Sequence, residues 1–354
     1  MLKNTKFDQR LKNIPDNIWS TITQIDHLQG QWIAGAKLSP QILGRLKKSI
    51  LITSTGASTR IEGSKLSDED VEKMMKGISV QKFTNRDKQE VKAYYELLEN
   101  IFNSWRTLRF NEGSIKHLHN ELLKYVDKDK KHKGNYKKQE NKVHMVNNAG
   151  GSMGILFNTT PAYLTPKQMQ ELVEWTDNAL EEKKYHSLLI ISNFLIEFLK
   201  IHPFEDGNGR LSRILTNLLL LKQGYEYMPY ISHEKLIEDN KLDYYMALRK
   251  SQKTIDSKKE DITQWLEFFL NILLKQSQMA IDLLSTENIE KLLTLKQTAV
   301  WEYLKKIDNI ATPMEIAKNT KIAQPTVRQV LNKLMKLKKI ERIGQGRSTG
   351  YRQL

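Results

Sequence analysis

The chain has 354 residues, no cysteine, and a net charge of +15 from 56 basic and 41 acidic side chains. That length predicts about two or three domains with ample chain for a buried core, and 39% hydrophobic with 27% charged residues is the balance of a soluble globular protein. The absence of cysteine excludes disulfides, thiol catalysis, iron–sulfur clusters and cysteine-ligated zinc, and agrees with a reducing, cytoplasmic location.

The N-terminus, MLKNTKFDQRLKNIPDN, has no apolar run that could serve as a signal peptide. The segment ITSTGASTRIEGSKLS reads as a short helix ending at Gly63, and taken alone Glu62 would be an ordinary surface carboxylate. Apolar residues at three- and four-residue spacing then predict helices over about 86–109, 114–126, 166–182, 186–201, 210–223, 236–250 and 260–284. Thr165-Pro166 fits an N-cap followed by proline at the first helical position. Residues 124–142 hold 8 basic and 3 acidic side chains and read as a solvated, lysine-rich loop. Val143–Val146 and Ile155–Phe157 are the best strand signals and, with the glycine-rich connection between them, predict one hairpin. Gly150-Gly151-Ser152-Met153-Gly154 matches the G-x-S-x-G nucleophile elbow, but that elbow needs a helix after it, and Ile155–Pro161 cannot supply one. The apolar stretch Ser187–Leu199 is too short, and too interrupted by Asn193 and Glu197, to span a bilayer.

Near residue 290 a separate module is expected to begin. Thr312-Pro313-Met314-Glu315 is a capping box that starts a helix, and Gln324-Pro325 opens another with Val327, Val330, Leu331 and Leu334 at core spacing. Thr326, Arg328, Gln329 and Lys333 would face outward. Ile340–Ile343 and Tyr351–Leu354 flank a glycine-containing loop with Arg347. The pattern resembles a winged helix-turn-helix, and 12 basic against 4 acidic residues over 298–354 suit a phosphate backbone, although such modules also bind proteins.

The most informative segment is His202-Pro203-Phe204-Glu205-Asp206-Gly207-Asn208-Gly209-Arg210-Leu211-Ser212-Arg213, between two strongly apolar helical stretches. Gly207 and Gly209 let the backbone turn sharply and approach a ligand. The free N–H groups and positive end of the following helix favour an anion, phosphate above all. Arg210 and Arg213 are three residues apart and can project from one face toward it. Asp206 is a hard-oxygen ligand suited to Mg²⁺ on phosphates, and His202 is placed to remove a proton from an attacking hydroxyl. The residues alone thus describe a phosphate-handling transferase or hydrolase.

HPFEDGNGRLSR resembles the signature of the Fic family, HPFx(D/E)GNGRxxR, and the likeness runs from about 90 to 225. Most members transfer AMP from ATP to a Ser, Thr or Tyr hydroxyl of a protein and release pyrophosphate. The resemblance implies that His202 is the general base and Asp206 the Mg²⁺ ligand. It implies an anion hole at Gly207, Asn208 and Gly209, with Arg210 and Arg213 on the phosphate tail and Leu211 and Ser212 within the nucleotide-binding segment. Tyr244 falls where the family often places an aromatic residue near adenine. Ser58–Gly63 is similar to the family's inhibitory motif (S/T)xxxE(G/N), which implies that Glu62 pairs with Arg213 and disturbs the seating of the ATP γ-phosphate. The hairpin is similar to the flap that aligns the target, with the usual double proline reduced here to Thr160-Pro161.

The expected fold is therefore mainly α: an N-terminal helical region over 1–85 carrying the inhibitory motif, a Fic-type core with a β-hairpin flap over 86–285, and a winged helix over 290–354. ATP and Mg²⁺ are the expected substrate and cofactor. The partners implied are a protein substrate, a second copy of the chain included, and DNA; no membrane is expected, and a homodimer is left open. Two alternatives stand beside the transferase: a nucleotide-sensing DNA-binding regulator, which would have no need of His202, and a site that also removes AMP with Glu62 orienting a water.

Overall fold

The computed structural model describes residues 5–35, 40–77, 85–126, 132–146, 152–257, 259–284, 293–307, 309–336, 339–344 and 349–353. The chain divides into two compact units, Met1–Ile281 and Asp282–Leu354.

The first unit is built around two buried helices, α8 (Ser187–Ile201) and α9 (Asn208–Lys222). Every residue from Leu188 to Leu199 and from Arg210 to Leu221 is buried; α8 is apolar on nearly all sides, whereas α9 also buries Arg210, Arg213 and Asn217. The preceding helices are α1 (Lys6–Arg10), α2 (Asp16–Gly35), α3 (Pro40–Ile61), α4 (Asp68–Met75), α5 (Asn85–Ser104), α6 (Glu112–Leu122) and α7 (Thr165–Glu181). α7 packs on α8, while α3, α5 and α6 pack on α9. The polar residues that interrupt α8 have a purpose: Arg10 of α1 reaches both Asn193 (3.2 Å) and Glu197 (2.8 Å), and Lys6 pairs with Glu197 at 2.6 Å. Buried polar groups must be partnered, so these residues fix where α1 docks.

The predicted hairpin is present as β1 (Lys142–Val146) and β2 (Ser152–Asn158), antiparallel, with register irregularities at Val143/His144 and Met145/Val146. Ser152 opens a strand, so G-x-S-x-G is followed by strand in place of the required helix; Gly150 and Gly151 lie outside the described residues. The end of β2 is tied to the end of α8, since Thr160 N donates to Lys200 O at 3.2 Å and Lys200 Nζ to Asn158 O at 3.2 Å.

Two local expectations are corrected. Thr165 lies inside α7 and does not cap it: the 3₁₀ turn Ala162–Leu164 runs straight into the helix, and the Thr165 hydroxyl donates to Pro161 O at 3.2 Å. The single helix expected over 236–250 is two, α10 (His233–Asp239) and α11 (Lys241–Gln252), separated at Asn240. α12 (Thr263–Leu284) follows.

The second unit contains α13 (Leu295–Lys306), α14 (Pro313–Thr320), α15 (Gln324–Lys336) and the antiparallel pair β3 (Ile340–Ile343) and β4 (Gly350–Gln353). Thr312 and Glu315 form the expected capping box, and Lys321 turns the chain between α14 and α15 with φ 55°. Val327, Val330, Leu331 and Leu334 of α15 are buried with Val300, Leu304, Ile316 and Ile340. Ala311 and Tyr351 exchange backbone hydrogen bonds of 3.0 and 2.9 Å, which fastens the hairpin to the start of α14. Arg328 and Gln329 are exposed, while Thr326 and Lys333 are half-buried; Arg347 lies outside the described residues.

Candidate active site

α8 ends where His202 turns the chain, with φ 50° and ψ 61°, and its N–H closes on Phe198 O at 2.9 Å. The loop then reverses through Gly207, at φ 80°, and α9 starts at Asn208. The Asn208 side chain braces this turn from inside: Oδ1 accepts from Phe204 N (3.0 Å) and Nδ2 donates to Phe204 O (2.8 Å). Its side chain is thus engaged within the turn, and its backbone N–H lies at the helix start. The N–H groups of Asn208, Gly209 and Arg210 precede the first bond of the helix ladder, from Leu211 N to Gly207 O at 2.8 Å. This is the open, positive end of a helix.

His119 of α6 supports the loop from below. Its ring stacks on Phe204 at 3.8 Å with 10° between the planes. Nδ1 accepts the Gly134 N–H (2.9 Å), so the ring proton sits on Nε2, which donates to Asp206 O at 3.0 Å. Burial pushes the His119 imidazole down to about 4, with the Asp206 carbonyl opposing the shift.

The expected base, His202, is half-buried. Burial pushes its imidazole down to about 4; the Lys137 ammonium adds to the shift, and the Leu199 carbonyl, Glu62 and Asp206 oppose it. The ring is thus neutral at neutral pH and able to accept a proton. The Asp206 carboxylate accepts from Gly207 N (2.6 Å) and contacts Arg210 Nη2 (3.2 Å) and Arg86 Nη2 (2.8 Å). Burial would raise its pKa, but Arg210, the Gly207 N–H and Arg86 together hold it below the usual carboxylate range. Glu90 ties the two arginines together, pairing with Arg210 Nη1 and Arg86 Nε, each at 2.8 Å.

Arg213 projects from the second turn of α9 and is 2% exposed. Its Nε donates to Ser58 Oγ (2.8 Å), and Nη2 donates to Ser58 O (2.9 Å) and Glu62 Oε1 (2.7 Å). Nη1 makes no hydrogen bond among the described residues and lies on the Gly209 side. Burial alone would weaken the hold of Arg213 on its proton, and the Glu62 carboxylate together with Tyr244 and Tyr94 more than offsets this. Glu62 sits immediately after α3, where Gly63 terminates the helix at φ 104° and Gly63 N bonds to Arg60 O at 3.0 Å. Its carboxylate lies so close over Gly209 that a methyl group there would overlap it. A negative charge of this chain therefore covers the open, positive end of α9.

The end of α3 is held against α10. Ser54 Oγ donates to Ser232 Oγ at 2.8 Å, and Arg60 Nη2 pairs with Glu238 at 3.0 Å while its Nη1 reaches Asp68 at 2.9 Å. Behind Arg213, Tyr94 and Asn217 converge on the buried Glu234 at 3.1 and 2.8 Å.

Not all the expected ligand residues face the site. Leu211 is fully buried in the core, and the Ser212 hydroxyl turns back to Gly209 O at 2.8 Å. Tyr244 is enclosed by Tyr245, Trp265 and Phe268 at 5.2, 5.9 and 5.7 Å and lies near Arg213; burial pushes its hydroxyl up to about 12. Conversely Arg86, Glu90, His119 and Lys137 belong to the site and were not singled out from the sequence. The contacts that join them to the loop span long stretches of chain, 120 residues for Arg86 and Asp206, so no local spacing reveals them.

Residues 109–220 match the Fic/DOC family. A probable protein adenylyltransferase of Aquifex aeolicus is 28% identical over 195 residues, which are 54% of this chain and 56% of that protein. The chain thus spans little more than half the length of this curated relative. A Fic family protein of Desulfovibrio desulfuricans G20, known from its crystal structure, superimposes with a TM-score of 0.65 over 97% of both chains at 24% identity. Residues 134–508 of Fic-1 from Caenorhabditis elegans superimpose with a TM-score of 0.62 over 77% of this chain and 74% of that one, at 18% identity. These two likenesses are of fold.

The buried His119 yields a prediction. An imidazole depressed to about 4 in the folded chain binds a proton more readily when unfolded, so its stabilising contribution is complete above pH 6.5 and is lost as pH falls toward 4. Urea denaturation across this range should show wild-type stability falling with pH more steeply than that of His119→Gln. Parallel slopes would contradict the assignment.

Proposed function

We propose, on the match of residues 109–220 to the Fic/DOC family, that this chain transfers AMP from ATP to a hydroxyl group of a protein and that Glu62 holds the activity low. The observation that carries this reading is the Glu62–Arg213 pair lying over Gly209. An open helix N-terminus and a buried guanidinium form an anion site, and a carboxylate of the same chain sits on it. The name of the Aquifex relative points to the same activity.

In this reading His202 takes the proton of a Ser, Thr or Tyr hydroxyl as its oxygen bonds to the α-phosphorus. The bond from that phosphorus to the bridging oxygen breaks, and pyrophosphate leaves. The backbone N–H groups of Asn208 and Gly209 receive phosphate oxygens, and that of Gly207, which Asp206 engages here, joins them when the carboxylate turns away. Arg210 and Arg213 add fixed positive charge, Leu211 and Ser212 hold the helix start in shape, and Tyr244 braces Arg213. The hairpin beside the end of α8 offers backbone groups along which an extended target segment can pair. The target is a protein of unassigned identity.

A magnesium ion suits the donor chemistry. Asp206 presents a hard carboxylate whose side chain is 38% exposed. Among the described residues no group of three or more His, Asp or Glu converges on a metal position, so phosphate oxygens and water would complete the shell, as is usual for Mg²⁺. When bound, the ion would neutralise phosphate charge. No helix among the described residues is long and apolar enough to cross a membrane.

The test is purified protein with Mg²⁺, a cell lysate as source of targets, and ATP labelled at the α- or the γ-phosphate. Label should be retained on protein from the α position alone and be abolished by His202→Ala. Glu62→Gly should raise it about ten- to a hundredfold, the worth of one hydrogen bond to a charged group. Retention of γ-label, or no label in Glu62→Gly, would contradict the reading.

We read the second unit as a winged helix-turn-helix that contacts DNA through α15, whose Arg328, Gln329 and Asn332 are exposed, and through Arg342 on the hairpin. Full-length protein should bind duplex DNA with an affinity that falls linearly in log–log form with salt, and Arg328→Ala should weaken it. Absence of salt-dependent binding would assign the unit to protein contacts.

A further inference from the structure

A second polar cluster lies directly beneath the catalytic loop, inside the stretch that reads from sequence as a solvated lysine-rich loop. Lys137 is 3% exposed. Its ammonium donates to Asn141 Oδ1 (2.8 Å), Thr159 Oγ1 (3.0 Å) and Ile201 O (3.0 Å), and its backbone N–H donates to Pro203 O (2.8 Å). One residue therefore grips the carbonyls on both sides of His202. The grip extends further, since Asn141 Nδ2 donates to Phe204 O at 3.0 Å and the Thr159 hydroxyl donates to Asn141 O at 2.7 Å. Asn141 directly precedes β1 and Thr159 directly follows β2, so the cluster is also the base of the hairpin.

Two features separate this from ordinary packing. His202 holds φ 50°, a left-handed conformation disfavoured for any residue with a side chain, and glycine cannot replace it in a role that needs an imidazole. Fixing both neighbouring carbonyls imposes that conformation. Second, the three acceptors of the Lys137 ammonium are all neutral. A buried cation held only by neutral groups is a poor way to gain stability, because its desolvation is not offset by an opposite charge in contact.

We propose that Lys137 is a positioning residue for AMP transfer, holding His202 in its left-handed geometry and joining the base of the hairpin to the catalytic loop. This rests on the reading of His202 as general base. The geometry has an electrostatic consequence as well. The charged groups acting on His202 are Lys137, Glu62 and Asp206, and of these only Lys137 disfavours the imidazolium. Burial lowers the Lys137 ammonium itself to about 8, with Glu140 opposing, so it remains largely charged at neutral pH. Its removal should let His202 take a proton at higher pH, disabling the base where the intact chain keeps it free.

The experiment places Lys137→Met, Lys137→Gln and Lys137→Arg in full-length Glu62→Gly protein. Transfer of α-labelled AMP gives kcat and KM for ATP, and NMR of histidine-labelled protein, assigned with His202→Ala, gives the His202 titration. Met and Gln should lower kcat about tenfold or more with KM for ATP little changed, the signature of a misplaced reacting group. Both should move the His202 titration to higher pH, and Arg, which keeps charge and donors, should preserve the parent's values. If Met does not fold, Gln against Arg decides. A His202 titration and kcat unchanged in Lys137→Gln would overturn the proposal, as would equal losses in Gln and Arg. If the parent itself transfers no label, the transferase reading falls, and the NMR titration alone decides the role of Lys137.

Discussion

A guanidinium buried to 2% exposure needs an anion, and in this chain almost everything around the candidate site follows from that need at Arg213. Ser58 supplies two neutral acceptors, a hydroxyl and a carbonyl, and Glu62 supplies the charge. Because Arg213 stands on the same helix whose open N-terminus includes Gly209, the carboxylate that satisfies it also covers that N-terminus. The phosphate chain of a nucleotide would meet the same guanidinium and the same N–H groups. In the proposed reading inhibition and binding compete for one set of donors, so the balance between them is a difference between two similar electrostatic terms.

This arrangement works only if both partners are held rigidly from outside. The α3 side is fixed by Arg60 on Glu238 and Asp68 and by Ser54 on Ser232, which aim the residue after the helix end at Arg213. The α9 side is fixed by burial of the whole helix and by Asn208, His119 and Lys137, which brace the preceding loop from three directions. Reacting groups placed by side chains that are themselves packed and hydrogen-bonded are the usual basis of preorganisation. The loop is braced by hydrogen bonds around His202 and Asp206, and the carboxylate of Glu62 remains partly open to solvent, with 38% of its side chain exposed.

Legibility from sequence followed the range of the interactions. The turn and helix start between His202 and Arg213 are readable because their geometry is local: two glycines between apolar helical stretches say what the backbone must do. The hairpin was readable from its strand signals, and the α14 start from its capping box, confirmed by Thr312 and Glu315. Thr165 misled because a cap signal depends on what precedes it, and here a 3₁₀ turn leads into the helix. The break at Asn240 was hidden because apolar spacing continues across it in the sequence although the helix does not. Arg86, Glu90, His119 and Lys137 were invisible for a different reason. Each is an ordinary polar residue on its own segment, and it acquires a role only when the fold brings it to the loop, 87 residues away in the case of His119 and Asp206.

The claim that Glu62 occupies the place of a terminal phosphate is tested most directly by equilibrium binding, without any turnover. Calorimetric titrations of AMP and of a non-hydrolysable ATP analogue into wild type and Glu62→Gly would separate the two ends of the nucleotide. The account predicts that Glu62→Gly tightens the ATP analogue about tenfold or more while leaving AMP nearly unchanged, because only the longer phosphate chain meets the carboxylate. Equal changes for both ligands, or none for either, would contradict it.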